Sequence, residues 1–371
     1  MDRIRARLAA PLLALPLAVL AACGGAGSQQ PAASTPPADV KVAGSVVATA
    51  TSSNEAQIAV PDPVAASWTA LGQKGSGVEL VKVGGDARTS TTPVDLAGQP
   101  DQAGAQLTTT LNDNAATTDG RSALAGLEHV ASPAGSPVWV FSPLLDTTGP
   151  LDANELAFDT SPTTVVKSLK SDGDLPNLKG REVNFVVTPV AGEQKALSKL
   201  QVGYQRAVWE GVARAAGAKR VTFYNGTGTT PAAGTISAVA VPDPNDDFNS
   251  KTEGRTRTCT LPAPALFVSD QPTLIDKKAT KAALKKCVGN IDITTKIKVE
   301  GHTAGVQGQD NSFAKSLSTQ RATEVAALLK ELDVPAKNIV EVVGYGSSKP
   351  LVQPGSNPAN RAVVVTFTSA A

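Results

Sequence analysis

Four short runs near the C-terminus decide how this chain is read: Ile297-Lys-Val-Glu-Gly-His-Thr303, Leu317-Ser-Thr-Gln-Arg-Ala322, Val343-Gly-Tyr-Gly-Ser-Ser-Lys-Pro350 and Asn360-Arg-Ala-Val363. The segments around them have α/β patterning. Ile297–Gly301, Ile339–Gly344 and Ala362–Phe367 are short, β-branched runs that read as strands. Ser318–Leu332 places Ala322, Val325, Leu329 and Leu332 at helical spacing, one apolar stripe of an amphipathic helix. Upstream, Ala265–Val268 reads as a strand and Lys277–Cys287 as a helix carrying Ala283, Leu284 and Cys287. The resulting order is β-α-β-α-β-β. If the helix starts at Ser318, Arg321 falls in its first turn. A cation there opposes the helix dipole at a cost of about 0.3–1 kcal/mol, beside free backbone N–H groups that suit an anion.

Together and in this order, the four runs resemble the OmpA-like peptidoglycan-binding domain, the module also found in Pal and MotB. The resemblance spans Pro264 to Thr368. It implies non-covalent binding of the peptidoglycan stem peptide, with Arg321 gripping a carboxylate, commonly that of diaminopimelate. It also places Thr303, Asn360 and Arg361 at the border of the pocket. The family pattern has an aspartate after Gly-His-Thr to hold the ligand's ammonium group, and Ala304 stands there in this chain. An asparagine seven residues before the arginine is also usual, and that place is Ala314. The loop between is about two residues longer than the family's, so Asp310 or Asn311 is available for the missing role. Without a family context, Arg321 reads as a solvated partner of Glu324, Asn360 as a staple of the loop before the last strand, and His302 as a hydrogen-bonded structural histidine.

The other end of the chain addresses it to an envelope. Arg3, Arg5 and Arg7 precede an apolar stretch, Leu8 to Ala22, broken by Pro11 and Pro16. It is too short for a span of about 20 residues and suits a signal segment. Leu20-Ala21-Ala22-Cys23-Gly24 resembles a bacterial lipobox, which implies residues 1–22 as a lipoprotein signal peptide and Cys23 as the lipidated first residue. Residues 23–40 are rich in Gly, Ser, Gln, Pro and Ala and cannot bury enough apolar area to offset their ordering entropy, so they read as a disordered tether. The expected location is the extracytoplasmic face of the cell membrane, held by the lipid anchor.

Residues 41–241 alternate strand and helix signals. Ser45–Ala48, Val78–Val83, Val138–Phe141, Val183–Thr188, Arg220–Tyr224 and Ile236–Val241 are strand candidates, mostly near-continuous apolar runs of the kind buried on both faces of a parallel sheet. Ser161 precedes Pro162 as a helix cap, with Val165, Val166 and Leu169 as the buried stripe. Leu197, Leu200, Tyr204, Val208 and Val212 mark a long helix ending near Gly217. The expectation is a doubly wound sheet, Rossmann-like or von Willebrand A-like. A von Willebrand A domain has Asp-x-Ser-x-Ser after its first strand, whereas this chain reads Thr49-Ala-Thr-Ser-Ser53. A divalent cation there prefers carboxylate oxygen, so no metal is expected. No GxGxxG or GxxxxGK[ST] run occurs. The run Phe141-Ser-Pro-Leu-Leu-Asp-Thr-Thr-Gly149 resembles a segment of actinobacterial exported lipoproteins that join an α/β domain to an OmpA-like domain. Residues 242–262, polar and turn-rich, read as the linker, and 263–371 as the second domain.

Charge is balanced, with Lys+Arg 34 against Asp+Glu 33, so nothing suggests nucleic acid as a partner. Beyond Cys23 the cysteines are Cys259 and Cys287, an even pair in an exported chain and hence an expected disulfide. Two histidines without a Cys/His cluster argue against zinc, and no cofactor is implied. No nucleophile–base–acid set suggests an enzyme. Two functions remain. One is a peptidoglycan-binding lipoprotein that ties membrane to wall, its first domain facing an envelope protein. The other is a cell-surface protein- or small-ligand-binding module whose OmpA-like part has lost stem-peptide recognition.

Overall fold

The computed structural model describes residues 40–370, except 157, 229, 233, 242–248, 290 and 306–310; of Leu200 it describes only the backbone. The expected signal peptide, Cys23 and nearly all of the tether lie outside the described residues. No helix among the described residues is long and apolar enough to cross a membrane.

The first part of the chain forms a six-stranded sheet. Its strands are β1 (Val42–Thr49), β2 (Gly77–Val83), β3 (Thr89–Val94), β4 (Val138–Ser142), β5 (Glu182–Val187) and β6 (Arg220–Asn225), in the order β3-β2-β1-β4-β5-β6. All neighbours are parallel except β2 and β3, which are antiparallel. The apolar runs are continuous because both faces are covered. Val46 and Val47, adjacent in β1, point to opposite faces and are both fully buried. On one face α1 (Asp62–Gln73) and α2 (Ala103–Asn112) bring Val64, Trp68, Leu107 and Leu111 against Val46, Trp139 and Phe141. On the other, α3 (Ala123–Glu128), α5 (Pro162–Asp172) and α6 (Lys199–Ala215) bring Leu127, Leu169, Trp209 and Val212 against Val47, Val140 and Phe185. A short α4 (Ala153–Leu156) precedes α5. The helix signals hold. Ser161 accepts from the Thr164 N–H with Pro162 at the helix start, and Ser198 and Gln201 close a capping box at the head of α6.

Two expectations for this domain change. Strand β3 was not foreseen: Thr89-Ser-Thr-Thr-Pro-Val94 has no apolar run, because it is an exposed edge strand where Pro93 is tolerated. Ile236–Val241 is not a strand. It crosses the carboxyl ends of the strands as an irregular segment, held where the Ser53 N–H donates to the Ile236 carbonyl and Asn54 bonds both ways with Ala238.

The second sheet contains β7 (Asn249–Glu253), β8 (Thr256–Pro262), β9 (Lys296–His302), β10 (Ile339–Gly346) and β11 (Ala362–Thr368), ordered β10-β9-β11-β8-β7. The expected 242–262 linker is therefore corrected: 249–262 is a hairpin that belongs to this sheet. Its two-residue loop starts with Gly254 at φ 58°, a conformation glycine adopts without a Cβ clash. Thr-Arg-Thr-Cys-Thr alternates, so only one side is apolar, and Cys259 is fully buried opposite Val365. The expected strand Ala265–Val268 is also corrected. Pro264 instead opens a short helix α7 (Ala263–Leu266), its fixed φ suiting a first helical turn. Helix α8 (Lys277–Val288) is capped by Asp276, which accepts from the Ala279 N–H. Cys287 of α8 is disulfide-bonded to Cys259 of β8, with Cα atoms 6.1 Å apart. Helix α9 (Asn311–Glu331) lies across β9 and β10. It begins two turns before Ser318, because Ala314 and Leu317 are also buried and extend the apolar stripe. Gly301 and Gly344 permit the close packing: a Cβ at Gly301 would lie 2.0 Å from the Ser318 carbonyl oxygen, and one at Gly344 2.2 Å from the Thr319 nitrogen.

Candidate functional site

Because α9 starts at Asn311, Arg321 is a mid-helix residue. The dipole penalty and free N–H groups expected of a first turn do not apply to it. Its surroundings come from tertiary packing. The side chain is 1% exposed and lies over the Phe267 ring, with 5.2 Å from guanidinium carbon to ring centroid. Its Nε donates to the Gln271 carbonyl at 3.1 Å. Its two terminal nitrogens donate to both oxygens of Asp159, Nη1 to Oδ2 at 3.1 Å and Nη2 to Oδ1 at 2.9 Å. This is the fork-on-carboxylate geometry expected of a carboxylate receptor. The carboxylate, however, comes from the loop before α5, 162 residues away in sequence. Glu324 is not the partner.

The Asp159 loop is fastened to the second domain by backbone as well as side chain. The Asp270 N–H donates to the Asp159 carbonyl at 3.0 Å, the Ser161 N–H to Asp270 Oδ2 at 2.9 Å, and the Ser269 hydroxyl to the Phe158 carbonyl at 3.0 Å. From the other side, the Tyr204 hydroxyl of α6 donates to the Thr160 carbonyl at 2.7 Å.

Beside this contact lies a small cavity, lined among others by Asp159, Asp270, Thr303, Ala304, Ala314 and Arg361. It has room for about one water molecule. Two polar atoms in its wall, Thr303 Oγ1 and Arg361 Nη1, are buried without a hydrogen-bond partner among the described residues. Burial pushes the Arg361 guanidinium below its ordinary value, while nearby Asp159 and Tyr204 oppose the shift. Ala304 and Ala314, standing where the family pattern has polar residues, present methyl groups to the cavity. Two carboxylates in the wall, Asp159 and Asp270, were not foreseen. Asp159 had no signal beyond its place before a helix cap, and Asp270 sits at φ 54°, a left-handed backbone that marks an enforced turn.

Two other expected site residues, Asn360 and Asn311, are placed differently. Asn360 is fully buried and spent on its own loop: Oδ1 accepts from the Leu351 and Val352 N–H groups at 2.7 and 2.9 Å, and Nδ2 donates to the carbonyls of Val352, Pro354 and Gly355. It staples the turn, with both ends of its amide bonded to backbone. Asn311 is exposed at the start of α9, where its Oδ1 accepts from the Ser347 hydroxyl at 3.3 Å. Asp310 lies outside the described residues. His302 is buried beside Tyr345 with Nδ1 2.8 Å from the Lys349 carbonyl; burial lowers its pKa, as suits a neutral structural ring.

The carboxyl ends of β1 and β4, where the first sheet reverses its strand order, form the second place to examine. Arg121 fills it. Its guanidinium is 2% exposed, donates to Glu55 Oε1 from Nε at 3.1 Å and Nη2 at 2.5 Å, and donates to the Leu145 carbonyl from Nη1 at 2.8 Å. The Ser52 hydroxyl donates to the same Glu55 oxygen at 2.7 Å. The chain's own cation thus fills the strand ends, and the segment around Ile236 and Ala238 is bonded to Ser53 and Asn54 beside it. The Thr49–Ser53 run leads into this pair rather than into a helix, since α1 starts only at Asp62. Asp146 accepts from the Ala123 and Leu124 N–H groups at 2.8 and 3.1 Å, yet burial raises its pKa to about 7. Among the described residues no group of three or more His, Cys, Asp or Glu side chains is arranged to hold a metal ion.

Comparison with known proteins agrees with the second sheet's assignment. Residues 266–363 match the OmpA family. Over 76 residues the chain is 38% identical to the outer-membrane lipoprotein YfiB of Pseudomonas aeruginosa, covering 20% of this chain and 43% of that protein's length. Among solved structures, the periplasmic domain of Helicobacter pylori MotB is 17% identical over 33% of this chain and 82% of that one, with a TM-score of 0.28. The cell wall anchor of the T6SS from Pseudomonas aeruginosa is 18% identical over 34% of this chain and 90% of that one, with a TM-score of 0.29. The C-terminal domain is OmpA-like.

Proposed function

We propose that this protein is a non-catalytic envelope lipoprotein that binds peptidoglycan through its OmpA-like domain and ties a membrane to the wall. The observation that carries the reading is the Arg321 fork, which already holds a carboxylate bidentately on a floor built from Phe267 and Gln271. Arg321, Thr303 and Arg361 are the residues we assign to the stem peptide. The match to the OmpA family and the lipoprotein relative support the assignment. Cys23 supplies the lipid anchor on this reading, and residues 23–40 the tether. The six-stranded domain, with helices on both faces and an antiparallel edge strand, is read as a von Willebrand A-like scaffold without its metal, facing an envelope protein.

A second reading has its own support. Ala304 and Ala314 remove two polar contacts, and the cavity has room for about one water molecule. An OmpA-like domain without stem-peptide recognition would serve as a protein- or small-ligand-binding module.

Co-sedimentation of the full chain with purified sacculi separates the two. Saturable binding that falls roughly tenfold or more in Arg321→Lys supports the first reading, because lysine keeps the charge and loses the fork. Absence of binding at any sacculus concentration supports the second. Anchoring is checked separately: Cys23→Ala is expected to abolish lipid labelling, and retained labelling contradicts the anchor.

A further inference from the structure

We propose that Asp159 is an internal occupant of the Arg321 receptor, so that wall binding requires the first domain's 158–161 segment to withdraw. The inference rests on the peptidoglycan reading and adds a control that neither domain shows alone. A single guanidinium fork accommodates one bidentate carboxylate at a time. In this structure both outer nitrogens of Arg321 are taken by Asp159, and the Arg321 side chain is 1% exposed. A stem-peptide carboxylate therefore has to displace Asp159. That competitor is tethered within the same chain, at an effective concentration on the order of millimolar or above.

Three further observations mark this contact as a latch rather than ordinary packing. The segment is pinned from both sides, by Tyr204 of α6 and by Ser269 and Asp270 of the second domain. The residues flanking the contact, Phe158 at φ 58° and Asp270 at φ 54°, hold left-handed backbone conformations that cost free energy for side chains other than glycine. The adjoining cavity leaves Thr303 Oγ1 and Arg361 Nη1 buried and, among the described residues, without a hydrogen-bond partner. Neither atom is hydrogen-bonded to the loop, so both gain partners when a polar ligand enters, and a ligand carboxylate replaces the charge of Asp159 beside Arg361. The closed arrangement thus carries strain and unmet hydrogen bonds that opening with a ligand relieves.

The test compares the full chain with Asp159→Asn, which keeps the shape and removes the charge, on purified sacculi. Binding is expected to tighten roughly ten- to hundredfold in Asp159→Asn, the loss of one charge-assisted competitor. In parallel, hydrogen exchange of 158–161 is followed in the unaltered protein while the soluble tripeptide L-Ala-γ-D-Glu-meso-diaminopimelate is added. Faster exchange there on peptide addition supports the latch without relying on a variant's fold. Equal sacculus binding by both proteins, or saturable peptide binding with unchanged exchange at 158–161, overturns the latch and leaves the peptidoglycan reading standing. Failure of both proteins to bind sacculi and tripeptide overturns that reading, and the latch with it.

Discussion

Replacing Arg321 with alanine tests whether the two domains are held by the buried pair. The substitution removes both bonds to Asp159, the bond to the Gln271 carbonyl and the contact with the Phe267 ring. It leaves the Asp159 carboxylate, 5% exposed, without its cation. Removing one partner of such a pair costs about 3–5 kcal/mol. The expected loss is therefore about 3–5 kcal/mol. Urea unfolding followed by tryptophan fluorescence suits the purpose, because Trp68, Trp139 and Trp209 all lie in the first domain, with circular dichroism reporting the whole chain. The cycle with Asp159→Ala isolates the pair. Removing both groups should cost less than the sum of the single losses, by about 2–3 kcal/mol. A loss below about 0.5 kcal/mol in Arg321→Ala, or strict additivity in the double variant, would refute the claim that this pair is closed and buried in solution.

Three further outcomes are expected. Reducing the Cys259–Cys287 bond, which closes a loop of sequence separation 28, should cost about 3–4 kcal/mol in the chain-entropy model, read as a lower Tm with reductant; an unchanged Tm in a protein shown by mass spectrometry to start oxidised contradicts it. Gly301→Ala places a methyl 2.0 Å from the Ser318 carbonyl oxygen, so α9 must shift from the sheet; a stability loss above about 2 kcal/mol is expected, and a neutral result means the helix packs more loosely than described. Asp146, with a folded pKa of about 7 raised by burial, contributes stability that is full below its unfolded pKa near 4 and is lost as pH rises through 7. Asp146→Asn lacks that dependence, so its stability relative to the parent should improve between pH 4 and 7.5; a pH-independent difference rules this out.

The sequence by itself settled the elements whose physics is local. Ser161-Pro162 capped the helix it preceded, and the apolar runs Val138–Phe141 and Val183–Thr188 became strands of the first sheet, since capping and two-sided burial are written in adjacent residues. The OmpA-like assignment was legible for a related reason: Gly301 and Gly344 lie within two of the four quoted runs and answer one close helix–strand contact. Exposed strands such as β3 and β7 escaped, because an edge that buries little needs no apolar signature. The start of α9 was misplaced because Ser318 resembles a cap in sequence, yet in the fold its hydroxyl donates to the Lys315 carbonyl and accepts from the Gly346 N–H. The family resemblance named Arg321 as the group that grips a ligand carboxylate, and in the fold its fork holds the carboxylate of Asp159. Which carboxylate it holds was beyond any local reading. Asp159 and Arg321 meet only because two sheets, each folded from its own segment, bring a loop and a helix together across 162 positions. Burial then makes a partner obligatory, since neither charge can be left in that interior alone.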